Sequence, residues 1–178
     1  MTFLSIVTRC HPNRPGFLAE NEASVAAQTC NDYEHIFIVD DEGRGVAWAN
    51  WALQLAQPAG DYVLVLDDDD KLTDPEAIAK LKEATADNPD LVIFKADHDG
   101  LGILPSPLIW GRAILRGHIG SCDFITSREQ WYQHIHHFAQ PECGDFSFLN
   151  ALWFNRPEVV WLDEQLAAVQ RISKGAPE

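Results

Sequence analysis

Ten residues set the terms for the rest of the chain: Asp61-Tyr62-Val63-Leu64-Val65-Leu66-Asp67-Asp68-Asp69-Asp70, an apolar run that ends in four consecutive carboxylates. An uninterrupted apolar stretch bounded by Gly60 and by charge is the pattern of a strand buried on both faces, as in a parallel sheet. Its carboxyl end is then the acidic cluster, and open α/β sheets bind ligands outside the carboxyl ends of their strands. Four like charges side by side repel one another, and neutral surroundings raise their pKa values. A divalent cation removes that conflict. Asp67 and Asp69 stand two apart and face the same side of a strand, which suits oxygen coordination of Mg or Mn. The competing reading is a solvated acidic turn that opens the next helix.

The remaining chain narrows the class. Its 178 residues fit one domain with a substantial core, and 46% hydrophobic residues with six tryptophans exclude a disordered chain. A net charge of −14 argues against binding to the nucleic-acid backbone or to anionic lipid. Cys10, Cys30, Cys122 and Cys143 are scattered without zinc-site spacing and read as reduced thiols of a cytoplasmic protein. The apolar run Phe3 to Val7 is too short for a signal-peptide core, and no transmembrane stretch is present.

In chain order, the pattern predicts a strand over Phe3 to Thr8, a turn-rich loop to Gly16 and a helix over Phe17 to Gln28. A second strand, His35 to Val39, also finishes in acids, Asp40 and Asp41. Helical spacing follows over Val46 to Ala56. After the acidic run, Asp74-Pro75 starts a helix that stops near Asn88-Pro89, and Leu91 to Phe94 is the next strand. This β-α-β-α-β-α-β order predicts an α/β fold with a doubly wound, mostly parallel central sheet flanked by helices. Residues 97–112 read as irregular. A short strand over Cys122 to Thr126, a helix N-capped by Ser127, a helix over Gly144 to Phe154 and two closing strands, Val159 to Leu162 and Ala167 to Ile172, complete one domain.

Taken together, "SVAAQTCNDYEHIFIVDDEG" and "GDYVLVLDDDDKLTDPEAI" resemble the nucleotide-binding half of family 2 glycosyltransferases with the GT-A fold. Ser24, Gln28, Thr29, Glu34, Val39, Asp40 and Asp41 match the first family pattern. Gly60, Tyr62, Leu66, Asp67, Asp69 and Asp70 match the second. "GHIGSCDFITSREQW" and "GDFSFLNAL" resemble segments on the acceptor side, so the resemblance covers nearly the whole chain: residues 1–96 as the nucleotide-sugar half and 97–178 as the acceptor half. It implies a short, metal-dependent, inverting glycosyltransferase that moves a sugar from a nucleoside-diphosphate donor, a UDP-sugar first, to the hydroxyl of a glycan or other acceptor. Neither nucleic acid nor stable membrane insertion is implied.

By the same resemblance, Asp41 contacts the base of the donor, and Thr8 and Arg9 line the nucleotide pocket, with room for a shift of one residue. Asp67 and Asp69 form the D-x-D pair, with Asp69 the more direct ligand of Mn or Mg. Asp145 is the general base, and Arg171 and Ser173 close over the diphosphate. Trp110 is a candidate for stacking on a sugar, and His118 a candidate neighbour of the pocket. Two alternatives remain: a nucleotide-sugar-binding module without turnover, and a nucleotidyltransferase. The chain departs from the family in a shortened segment after Asp41 and in Gly144, where the family places a glutamate before the base.

Overall fold

The computed structural model describes residues 2–11, 15–140 and 143–170. Its elements run β1 (Leu4–Cys10), α1 (Pro15–Ala26), β2 (Tyr33–Val39), α2 (Val46–Ala52), β3 (Tyr62–Val65), β4 (Asp70–Leu72) and α3 (Ala77–Ala84). They continue with β5 (Leu91–His98), β6 (Gly102–Leu104), β7 (Phe124–Ser127), α4 (Arg128–His134), α5 (Gly144–Phe154) and β8 (Val159–Val169). The strands form one sheet in the order β2-β1-β3-β7-β5-β8-β4, with β6 paired to β5. β1, β2, β3, β5 and β8 run the same way, while β4, β6 and β7 run against them. The mostly parallel α/β sheet is thus present. β7 lies between β3 and β5, antiparallel to both, because the chain enters it from residues 97–123 rather than through a crossover helix.

The apolar run behaves as its composition requires. Tyr62, Leu64 and Leu66 join Leu4, Ile6 and the α3 residues Ile78 and Leu81 on one face of the sheet. Val63 and Val65 join Trp131, Phe138 and Phe148 on the other. Both faces of β3 are therefore dry, and each fully buried Leu or Phe contributes about 2 kcal/mol relative to exposure. Gly60 permits the entry to β3, since a Cβ there would stand 2.6 Å from the backbone nitrogen of Ser5. All four cysteines are unpaired thiols. Among the described residues, no helix is long and apolar enough to cross a membrane.

Strands β1 and β2 are tied by side chains as well as by their ladder. Thr8 Oγ1 donates to Leu66 O at 2.8 Å. Its only proton is then used, so the 2.7 Å contact to His35 Nε2 places the proton on that ring nitrogen. Burial depresses the His35 pKa to about 4. The folded state thus favours the neutral ring, and this share of stability is complete above pH 6.5 and drains as pH falls towards 4. Partial solvent access limits the loss to about 2 kcal/mol. Urea unfolding at stepped pH is expected to show this decline, and His35→Gln is expected to flatten it. An unchanged slope in the variant would assign the acid sensitivity elsewhere.

Candidate active site

β1 and β3 are adjacent and parallel, in register from Leu4–Tyr62 to Val7–Val65. Their carboxyl ends therefore deliver Arg9 and Asp67 side by side, as expected of ligand sites in open α/β sheets. A cavity of about 240 Å³ opens there, lined by Arg9 at the end of β1 and His11 just after it, Asp40 after β2, Ala49 of α2, and Asp67, Asp68 and Asp69.

The four carboxylates are not equivalent. Asp67 to Asp69 lie in the turn between β3 and β4 rather than on a strand, and from Leu66 to Leu72 burial alternates residue by residue, so Asp68 and Asp70 are buried while Asp67 and Asp69 are partly exposed. Asp68 Oδ2 accepts the His11 backbone N–H at 2.6 Å, and Asp70 Oδ2 accepts the Asp67 N–H at 3.2 Å. Burial, followed by the charges of Asp67 and Asp69, pushes the Asp70 pKa well above the usual carboxylate range. The backbone of Asp67 and Asp70 is pinned in turn by Asn21, whose side-chain amide donates to both carbonyls at 2.9 and 3.0 Å.

Arg9 dominates the electrostatics. Its Nε donates to Asp67 Oδ1 at 2.5 Å, its Nη2 donates to Asp67 Oδ2, and its Nη1 donates to Asn50 Oδ1. Burial alone would lower its pKa, but the carboxylates of Asp67, Asp70 and Asp145 more than offset this, and the pKa is raised. Asn50, buried on α2, also donates to Gln140 O at 2.9 Å, linking the guanidinium to the approach to α5. Asp145 lies in the first turn of α5. Its pKa is raised chiefly by burial. The Phe146 N–H and the charge of Arg9 oppose the rise, and Asp67 adds to it. Three segments remote in sequence thus meet around one cation.

The remaining sequence candidates separate clearly. Thr8 is fully buried and holds β1 to β3 rather than facing the cavity. Asp41 does not line the cavity: its side chain is 74% exposed and pairs with Arg44 at 3.1 Å. Its neighbour Asp40 does line it, 3% exposed, with Oδ2 accepting the Gly45 N–H at 2.8 Å. Burial opposes the Asp40 charge, but the backbone N–H groups of Arg44 and Gly45 prevail and hold its pKa below the usual range. Oδ1 of Asp40 has no hydrogen-bond partner among the described residues. Trp110 packs edge-on against Trp161 with ring centroids 5.2 Å apart, and Lys95 sits over its face. His118 Nδ1 is 3.0 Å from Ser106 Oγ. Neither lines the cavity. Arg171 and Ser173 lie outside the described residues.

A metal held by both Asp67 and Asp69 would share the Asp67 carboxylate with Arg9. Each oxygen of Asp67 already accepts from Arg9, and Ser121 Oγ adds a longer contact of 3.4 Å to Oδ2. Asp69 lines the cavity beside Asp67. The sequence reading missed Asn21 and Asn50 because amides carry no motif, and it matched Asp40 to the family pattern while giving the nucleotide contact to Asp41. It also missed the buried group of His98, Cys122 and Asp123, whose donor atoms lie within 4.8 Å of one another. Those atoms serve each other: His98 Nε2 meets Asp123 Oδ1 at 2.8 Å, and the Gly120 N–H closes on Oδ2 at 2.6 Å. This group braces Ser121 beneath Asp67.

Gly144 also acquires a reason. A Cβ at this position would lie 2.4 Å from Phe138 O and 3.1 Å from Asn50 Nδ2, so the chain has no space for the family's glutamate.

No protein-family model matches the sequence, and none of the curated proteins matches it. Solved structures do match the fold. Residues 1–349 of S. aureus TarS in complex with UDP superpose with a TM-score of 0.72 at 14% identity, over 94% of this chain and 60% of that one. A glycosyltransferase involved in glycosylation of the major capsid of PBCV-1 gives 0.65 at 10% identity, over 96% and 95%. The mannosyltransferase PcManGT of Pyrobaculum calidifontis, in complex with GDP-Man and Mn2+, gives 0.64 at 12% identity, over 97% and 58%. The chain thus spans about three-fifths of the TarS and PcManGT chains and nearly all of the capsid-glycosylating one. At these identities the likeness establishes the architecture: the chain has the GT-A fold of glycosyltransferases.

Proposed function

We propose that the chain transfers a sugar from a nucleoside-diphosphate donor to an acceptor hydroxyl, with inversion at the anomeric carbon. The observation that carries this reading is the convergence of Arg9, Asp40 and Asp69 on one strand-end cavity of a GT-A fold, with Asp145 outside its lining but within reach of the charges of Arg9 and Asp67. Asp40 would accept from the nucleoside through its unpartnered Oδ1, a role the resemblance gives to Asp41. Arg9 would meet the diphosphate. Asp145 would take the proton of the attacking hydroxyl, since a base tuned upward by burial is better matched to a reaction near neutral pH. A single base acting with direct displacement gives inversion. A divalent ion at Asp69, where the resemblance places it, would supply Lewis acidity to the departing diphosphate. The complexes of the similar structures with UDP and with GDP-Man and Mn2+ support the donor class.

The test is a panel of UDP- and GDP-sugars, read by thermal shift and by release of free nucleoside diphosphate. We expect one donor at a hundredfold excess over its Kd to stabilise the chain by about 2.7 kcal/mol, and its nucleoside diphosphate to be released when an acceptor is supplied. Donor binding with no release over hours, across an acceptor panel, would reassign the chain as a nucleotide-sugar binder. Pyrophosphate release from a nucleoside triphosphate would instead revive nucleotidyl transfer.

A further inference from the structure

We propose that Arg9 is the cation that meets the donor diphosphate, and that Asp67 holds Arg9 in place rather than serving as a metal ligand. The inference rests on the nucleoside-diphosphate reading above and departs from the family resemblance on the role of Asp67. A guanidinium carries five N–H donors. Three are committed, two to Asp67 and one to Asn50, which leaves two. The side chain is 16% exposed, and the residue lines the cavity.

An arginine fixed on two sides by a partly exposed carboxylate and a buried amide is set in advance, so binding an anion costs it little further ordering. Its planar fork suits bidentate contact with phosphate oxygens. A second, independent feature of the same cavity points to a ligand: Asp40, 3% exposed, lines it and holds a buried oxygen, Oδ1, that has no hydrogen-bond partner among the described residues. A lone structural ion pair would leave that oxygen unexplained. A nucleoside diphosphate answers both, with an acceptor for its base or ribose and a cation for its phosphates.

A metal on Asp67 would either share that carboxylate with Arg9, close to its positive charge, or displace it. Breaking a largely buried pair exposes each partner to an uncompensated charge, which is strongly unfavourable. Asp67→Asn therefore has opposite consequences under the two assignments. If Asp67 is a metal ligand, the substitution weakens nucleotide binding. If it is the holder of Arg9, the substitution leaves a guanidinium short of counter-charge, and an incoming diphosphate supplies what was lost.

The experiment is calorimetric titration with UDP and with GDP, in EDTA and in manganese, of the full chain and its variants, each checked for cooperative unfolding. We expect the affinity of the better nucleotide in EDTA to lie within about tenfold of that in manganese. Arg9→Met should weaken it in EDTA by about thirtyfold or more, Arg9→Lys by less, and Asp67→Asn should tighten it at least about threefold. Should Arg9→Met fail to fold, Arg9→Lys and Asp67→Asn carry the comparison. Binding seen only with manganese, and weakened by Asp67→Asn, would overturn the role of Arg9 while leaving the donor class standing. Binding of neither nucleotide under either condition would overturn both.

Discussion

Asp145→Asn is expected to lower the turnover number about a thousandfold while leaving donor affinity within a few-fold of the parent. The carboxylate lies in the first turn of α5, partly buried, and feels both Arg9 and Asp67. An amide of the same shape keeps the packing but cannot accept a proton. The pH dependence separates this role from a merely structural one. A base works when ionised, so the turnover number of the parent should rise with pH and level off above the pKa of Asp145. Burial moves that point upward from the ordinary value near 3.8. In the variant the residual rate should not show this rise. A variant that keeps turnover within about threefold would remove Asp145 from the mechanism.

Gly144→Ala is expected to destabilise the fold by about 3 kcal/mol, read as a lower urea midpoint with an unchanged slope. The added methyl meets the backbone carbonyl of Phe138 at 2.4 Å, and a carbonyl held in the run-up to α5 cannot rotate away like a side chain. The start of α5 would have to shift, and with it Asp145 and the Asn50 amide that steadies Arg9. Activity per folded molecule should therefore fall along with stability. Glutamate at the same position, the residue of the family pattern, should be worse still. If the alanine variant were as stable as the parent, the close approach at Gly144 would not be a constraint on the site.

Much of this architecture is legible in the sequence, for reasons that are local. The apolar run fixes β3, Ser127 caps α4 through its contact with the Gln130 N–H, and α5 begins and ends where its pattern does. What escapes the sequence is what depends on distant partners. β4 starts inside the acidic run, at Asp70, because β8 offers it an antiparallel edge. β8 is one strand of 11 residues rather than two short ones, since β5 pairs with it along its length through two register shifts. β5 itself runs on to His98 and turns back into β6, within residues that carry no periodicity.

At the site, the acids themselves were legible, but their division of labour was not. Composition gives no means of telling Asp40 from Asp41. The choice is made by the turn to Gly45, which draws one carboxylate against backbone N–H groups and leaves the other to Arg44 in solvent. Nor does spacing reveal that Arg9 will claim Asp67, because that pair forms only once two strands are laid side by side in register.

The alternation of inward and outward carboxylates from Asp67 to Asp70 gives the run a phase. Four identical letters look interchangeable, and a substitution at any one of them alters one contact. A one-residue deletion within them leaves a run of aspartates that reads almost the same, yet it shortens the turn that the Asp70 N–H closes on Asp67 O at 2.9 Å, between two strands whose registers are set by their neighbours. Repetition here confers no redundancy, because each carboxylate holds its own place in that turn.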